Sequence, residues 1–253
     1  MTALPALVAA SHGTSDAGGQ RAVAALVAAV EQSSAETIVR GSFVDVQQPD
    51  VPQTLSELET GRDAVVVPLL LSAGYHVRVD LARDARQSVA RRVTIADALG
   101  PDERLTEVLV RRLDEAGLRP DDRVVLGAAG SSDARAVEDC RTAAVLLSRS
   151  LGRPVTVGFI SAATPRLADA VEQARSGSPE GARVVIANYL LAPGYFAGLA
   201  SAAGADLVTA PLLADGEPVP AELVDIIRDR YRAACNADVS SPLHSGSAPV
   251  TTW

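Results

Sequence analysis

The stretch Leu7-Val-Ala-Ala-Ser-His-Gly-Thr-Ser-Asp16 decides the fold because its plan occurs twice, the second time as Val124-Val-Leu-Gly-Ala-Ala-Gly-Ser-Ser-Asp133. Each is an apolar run too short for a helix that breaks into a small polar turn, as a buried strand does at its carboxyl end. Outward from the first copy, Gln20–Gln32 has helical spacing, with Val23, Leu26, Val27 and Val30 on one side. Ile38–Val46 reads as a strand and Pro49–Leu58 as a helix, with Asp50 or Pro49 at its start and Gly61 beyond its end. Ala64–Leu71 is almost continuously apolar, the signature of a parallel strand covered on both faces. The turn Ser72-Ala-Gly-Tyr-His76 follows, then a basic helix over about 79–91, a strand at Val93–Ala98, a break at Gly100-Pro101 and a helix at Glu103–Glu115.

The same order then returns. Val155–Ala163 before Pro165 mirrors Ile38–Gln47 before Pro49, and Val184–Tyr195 (VVIANYLLAPGY) mirrors Val65–Tyr75 (VVVPLLLSAGY). Leu207–Leu213 mirrors Val93–Leu99, and Ala221–Ala234 mirrors Glu103–Glu115. Alternating strands and helices predict an α/β protein built as a tandem duplication, each lobe a parallel sheet flanked by helices, with a cleft between the lobes. The expected lobes are residues 1–118 and 119–235, joined through Gly117–Asp122. Residues 236–253, rich in Ser, Pro and Thr, are expected to be a mobile tail, and the third histidine, His244, is incidental there.

Composition narrows the function. An apolar fraction of 47% supports a sizeable core, built from Ala, Val and Leu because aromatics are only 3%. A net charge of -8 argues against general binding to nucleic acid or an anionic membrane. No run approaches the length of a transmembrane helix, and the first residues lack the basic and apolar regions of a signal peptide. Cys140 and Cys235 stand far apart, in no metal-binding spacing, which suits a reducing compartment, so a cytoplasmic location is expected.

Two of the three histidines, His12 and His76, end apolar strands, where open α/β sheets place ligand-binding groups. Aligning the halves sets His12 against Ala129, His76 against Phe196 and Asp45 against Ser161. The residues that shape the backbone persist: Gly13 with Gly130, Gly74 with Gly194, Tyr75 with Tyr195. The repeat folds without the two imidazoles and the carboxylate, so these form a functional set in the first half. Such a set suits a divalent first-row metal. Ser11-His12-Gly13 has a superficial likeness to the Arg-His-Gly of histidine phosphatases, but Ser11 stands where that chemistry needs a phosphate-binding arginine.

The Ser-His-Gly-Thr turn, the Phe43-Val-Asp45 segment before Pro49, and Pro68-Leu-Leu-Leu-Ser-Ala-Gly-Tyr-His-Val-x-x-Asp80 resemble the sirohydrochlorin chelatases, the CbiX and SirB proteins related to ferrochelatase, in their long two-lobe form. The resemblance covers about residues 4–234 and implies insertion of Fe²⁺, or alternatively Co²⁺, into sirohydrochlorin for siroheme or cobalamin synthesis. It implies a catalytic metal site of His12, His76 and Asp45, the last standing where the family commonly has Glu. The metal is then a substrate, with no permanently bound cofactor. ATP is not required, in keeping with the absence of a phosphate-loop sequence. Ser11, Gly13, Thr14, Gly74, Tyr75, Arg78 and Phe196 are the expected substrate contacts. Arg78 would pair with a carboxylate of the macrocycle. Arg83 and Arg86 lie in the same basic stretch, and Arg91 and Arg92 are expected to serve only as a solvated face. One chain holding both lobes predicts a monomer. The alternative from another class is a non-catalytic tetrapyrrole or metal carrier.

Overall fold

The structure, a computed structural model, describes residues 3–72, 74, 79, 81–83, 85, 91–177 and 181–239. The first repeat runs β1 (Ala6–Ser11), α1 (Ala17–Gln32), β2 (Val39–Phe43), α2 (Val51–Glu57), β3 (Ala64–Pro68), β4 (Val93–Ile95) and α3 (Glu103–Glu115). Residues 79, 81–83 and 85, between β3 and β4, are helical. The second repeat runs β5 (Arg123–Ala128), α4 (Ala134–Leu151), β6 (Val155–Phe159), α5 (Leu167–Ser176), β7 (Val184–Tyr189), α6 (Tyr195–Ser201), β8 (Leu207–Val208) and α7 (Ala221–Val239). The sheets have the same parallel order, β2-β1-β3-β4 and β6-β5-β7-β8. Among the described residues no helix is long and apolar enough to cross a membrane.

Aspartates open four of the helices. Asp16, Asp50, Asp102 and Asp133 each accept a hydrogen bond from a backbone N–H in the first turn, satisfying a donor that has no partner inside the helix. Several strands are shorter than their apolar runs suggest. β2 ends at Phe43 rather than Val46, because Val46 takes a left-handed conformation (φ 63°) that turns the chain out of the sheet. β3 ends at Pro68, which has no N–H for the ladder; Leu69 makes one more bond, to the Ala10 carbonyl at 2.8 Å, before the chain leaves. β4 and β8 likewise stop at Ile95 and Val208. α7 continues to Val239, so Asn236–Val239, expected in the tail, are helical. Residues 240–253, with His244, lie outside the described residues.

Strand residues alternate between two cores. Ala6, Val8 and Ala10 of β1 pack outward against Val51 and Leu55 of α2, and Val125, Val184 and Ile186 pack outward against Leu167 and Val171 of α5. The inward faces, Leu7 and Ala9 of β1 and Val124 and Leu126 of β5, join a single central core that spans both repeats. Four helices fill it: α1, α3, α4 and α7.

The last helix of each repeat is exchanged. α3 packs on α4 and on β7 of the second sheet, while α7 packs on β3 and β4 of the first. The amphipathic face of α3, Leu105, Val108, Leu109 and Leu113, is fully buried this way, as are Leu223, Ile226 and Ile227 of α7. Arginines, exposed and buried, seal the seam. Arg230 donates to the carbonyls of Ala98 and Leu99, Arg111 pairs with Glu222, and Arg112 pairs with Glu217. The turn between the repeats is itself knit together, since buried Asp122 accepts from the Arg119 N–H and pairs with Arg183 at 2.5 Å.

Two outcomes follow. Each buried Leu or Ile contributes about 2 kcal/mol, so losing the cover over α3 and the inner face of β3 removes an amount comparable to the net stability of a whole domain. Residues 1–118 expressed alone will therefore give a collapsed amide spectrum in two-dimensional NMR, and a well-dispersed spectrum would contradict the exchange. The hydrogen bond from Arg183 lowers the Asp122 carboxyl below its ordinary value. Its stabilisation is complete above the unfolded carboxylate pKa of about 4 and is lost as pH falls through the lower folded value. Asp122→Asn will lower Tm at neutral pH and flatten the fall of Tm below about pH 4.

Candidate metal centre at the strand ends

His12 follows the last residue of β1 and is exposed, while Ser11 before it is buried with no partner for its hydroxyl. The His12 carbonyl accepts from the Asp45 N–H at 3.1 Å, and the Ser11 carbonyl accepts from the Val44 N–H at 2.8 Å. Gly13 then takes φ +91°, and a Cβ there would strike the Asp45 carbonyl oxygen. Only glycine lets the turn lie flat against the 44–47 loop. The Thr14 N–H donates to Gln47 Oε1 at 2.9 Å, completing the tie between the two loops. Asp45 is exposed and its Oδ1 accepts from the Val46 N–H at 2.8 Å. Val46 is β-branched, 59% exposed and left-handed, a conformation that costs on the order of 1–3 kcal/mol and persists only where the surroundings impose it. The backbone thus sets His12 beside Asp45 and leaves both side chains open to solvent.

The second repeat builds the same scaffold without the histidine and the carboxylate. The Ala129 carbonyl accepts from the Ser161 N–H at 2.9 Å, Gly130 has φ +90° and Ala162 has φ 53°. Ser161 turns its hydroxyl to the Ala129 carbonyl at 3.0 Å. Ala128 stands in the place of Ser11, each pairing in register with the phenylalanine that ends the adjacent strand.

β1 lies between β2 and β3, so the ends of all three strands adjoin. The chain leaves β3 through Leu71 and Ser72, and Gly74 approaches the Ser131 hydroxyl of the other lobe, with its Cβ position 3.7 Å away. Tyr75, His76 and Arg78 lie outside the described residues, as does Arg86. Among the described residues no three His, Cys, Asp or Glu side chains gather to hold a metal. His12 and Asp45 are brought together; the third expected ligand is not described.

The facing lobe supplies the opposite wall. The Cβ position of Gly194 is 3.0 Å from Thr14 Oγ1, and a Cβ on Gly19 would strike the Pro193 carbonyl. Thr14 against Gly194 and Ser131 against Gly74 are the same contact made twice, related by the repeat. Phe196 is half-buried and packs on the outer core of the second lobe, whereas Tyr195 is 75% exposed and meets the Phe196 ring edge-on at 5.9 Å. The open aromatic is therefore Tyr195. The sequence put Tyr195 in the Pro193–Phe196 stretch of the opposite wall but singled out Phe196, and it missed Val46, which reads as the last residue of a strand. Arg83 is exposed. Arg91, expected to be part of a solvated face, is instead half-buried and braces the carbonyls of Leu58, Glu59 and Arg62. A groove of about 320 Å³ between α1 and residues 213–219 is bridged by Arg21 and Asp215 and contains neither His12 nor Asp45.

Comparison with known proteins agrees with this fold. The SirB protein of Bacillus subtilis, solved with Fe³⁺, superposes over 94% of this chain and 98% of its own, with a TM-score of 0.76 at 21% identity. A CbiX structure, described as the terminal enzyme of siroheme biosynthesis in denitrifying bacteria, superposes over 88% and 98%, with a TM-score of 0.65 at 23% identity. In sequence the chain is 26% identical over 200 residues to a sirohydrochlorin ferrochelatase of Priestia megaterium, covering 76% of this chain and 74% of that one. It is 38% identical over 91 residues to a sirohydrochlorin cobaltochelatase of Saccharolobus solfataricus, covering 31% of this chain and 71% of the relative. The CbiX family model matches residues 6–116 and 123–198, so both repeats are accounted for and the chain belongs to the CbiX family.

Proposed function

We propose that the protein is a sirohydrochlorin chelatase in which the first repeat, residues 1–118, carries the chemistry and the second, residues 119–235, is a degenerate copy that provides a wall. The observation that carries this reading is the exposed His12 bonded through its carbonyl to Asp45, on a scaffold that the second repeat reproduces with Ala129 and Ser161. Fe²⁺ is the favoured metal, because the relative that aligns with most of this chain is a ferrochelatase; Co²⁺ is the alternative, as in the shorter relatives. Either is a substrate that passes through the site.

Insertion requires the macrocycle to give up two pyrrole N–H protons while the metal exchanges its ligands for ring nitrogens. An imidazole lone pair binds a divalent metal and, once the metal leaves, accepts a proton near neutral pH. His12 and His76 take these roles. Asp45 carries one methylene fewer than Glu, and acts as a ligand or as the acceptor that passes protons to solvent. The exposure of His12 and Asp45 suits a metal that must be released rather than stored. The carboxylates of the macrocycle are met by Arg78, while Gly13, Thr14, Gly74 and Tyr75 shape one wall, with Ser11 buried behind His12 rather than touching substrate, and Phe196, behind Tyr195, supports the other. Both walls come from one chain, which supports a monomer, and no nucleotide enters the reaction.

The absorbance change of sirohydrochlorin on adding Fe²⁺ or Co²⁺ tests the reading. His12→Ala and His76→Ala will each slow insertion by about 10²-fold or more. Full activity in either variant, or no acceleration by the native protein, sinks the assignment; ligand binding without acceleration would instead identify a carrier. Gly13→Ala and Gly130→Ala make equivalent clashes and will each cost about 1–3 kcal/mol. Only Gly13→Ala will also weaken Co²⁺ binding, since it pushes apart the loops that hold His12 and Asp45.

A further inference from the structure

The segment that leads from β3 towards His76 is held from the other lobe. Tyr189, the last residue of β7, is buried, and its hydroxyl donates to the Leu71 carbonyl at 3.2 Å. Cys140 of α4 is buried too, and its thiol lies near Ser72, the next residue of the exit. Gly100 closes the third side, since a Cβ there would fall against both the Leu71 carbonyl and the Tyr189 hydroxyl. The exit of the loop is thus gripped at two successive residues by side chains of the second repeat.

Neither grip is inherited from the repeat. Register places Tyr189 in the position of Leu69, both one residue beyond the partner of the equivalent β1 and β5 residues. Cys140 follows its capping Asp133 at the same interval as Val23 follows Asp16. The first repeat has apolar side chains at both places. The second repeat, which lacks the histidines and the acid, has instead a hydroxyl and a thiol aimed at the first repeat's loop. A buried phenol is kept where its O–H has a partner, and here that partner is the carbonyl five residues before His76.

We propose that Tyr189 is a positioning residue: through the Leu71 carbonyl, with Cys140 bracing Ser72, it fixes the exit of the loop that carries His76, so that the second lobe sets the metal affinity of the first. This rests on the reading of His76 as a metal ligand. Tyr231 provides a matched control, because its hydroxyl makes the same kind of bond, to the Pro5 carbonyl at 2.7 Å, beyond the opposite end of β1 from His12.

The experiment measures Co²⁺ Kd by calorimetry and metal KM and kcat on the intact protein, at a temperature where circular dichroism shows every variant folded. Tyr189→Phe will raise Kd and metal KM about tenfold, the scale seen when a supporting partner of a ligand is removed. Its kcat at saturating metal will stay within about twofold, because the interaction acts on binding. Tyr231→Phe will lower Tm while leaving Kd and KM unchanged. Native Kd in Tyr189→Phe, or equal weakening in Tyr231→Phe, overturns the proposal. His76→Ala separates the two levels: if it keeps native Kd, the ligand reading fails, and if it loses binding while Tyr189→Phe does not, only the positioning role fails. Should Tyr189→Phe not fold, Cys140→Val and Cys140→Ser decide. Weakening with Val and restoration with Ser support the grip, and identical Kd in both and in the native protein overturns it.

Discussion

Each repeat makes an amphipathic last helix that its own sheet does not cover. α3 buries Leu105, Val108, Leu109 and Leu113 against the second repeat, and α7 buries Leu223, Ile226 and Ile227 against the first. This reciprocal burial is the constraint on which the rest depends. It merges the inner faces of both sheets into one core and fixes the angle at which the strand-end loops face each other. The contacts of Thr14 with Gly194 and of Gly74 with Ser131 exist because the helices behind them have nowhere else to go. The ionic seam is secondary. Arg21, Arg104, Arg111 and Arg230 largely pair at the rim, where screening leaves each bond worth little, whereas Arg112 is buried and pairs with Glu217 under the seam.

The sequence disclosed what depends on local chemistry. α3 was legible residue for residue, because Asp102 caps its start and Gly117, at φ 72°, stops it. The parallel sheets and the nearness of the strand ends that carry His12 and Asp45 followed from the repeat and from where apolar runs break, while the strand order did not. Strand ends were over-read for an identifiable reason. Val44–Val46 and Leu69–Leu71 continue the apolar pattern, but the left-handed turn at Val46 and the missing N–H of Pro68 end the ladder, and hydrophobicity registers neither. The exchange of α3 and α7 was not legible at all, since an apolar helix face states that it must be covered and not by which sheet. For the same reason Tyr189 looked like an ordinary strand residue, and its partner carbonyl lies more than a hundred residues away in the chain.

Within this frame the two repeats divide the work unevenly. The turn geometry, glycine conformations and loop-to-loop hydrogen bonds are common property and belong to folding. The differences that bear on the site include His12 and Ala129, Asp45 and Ser161, His76 and Phe196, Ser11 and Ala128, and Leu69 and Tyr189. The unpartnered Ser11 hydroxyl, buried directly behind His12, belongs to this small set of polar additions.

The covalent link between the repeats acquires a meaning from that last pair. In a homodimer of single lobes related by a dyad, one genetic position would have to serve both as the apolar residue beneath the reactive loop and as the phenol that grips it from across the interface. Leu69 and Tyr189 are incompatible answers to that demand. Joining two copies in one chain breaks the symmetry, so that each position can be optimised for one side of the cleft. Selection can then improve the scaffold and the reactive surface as separate traits.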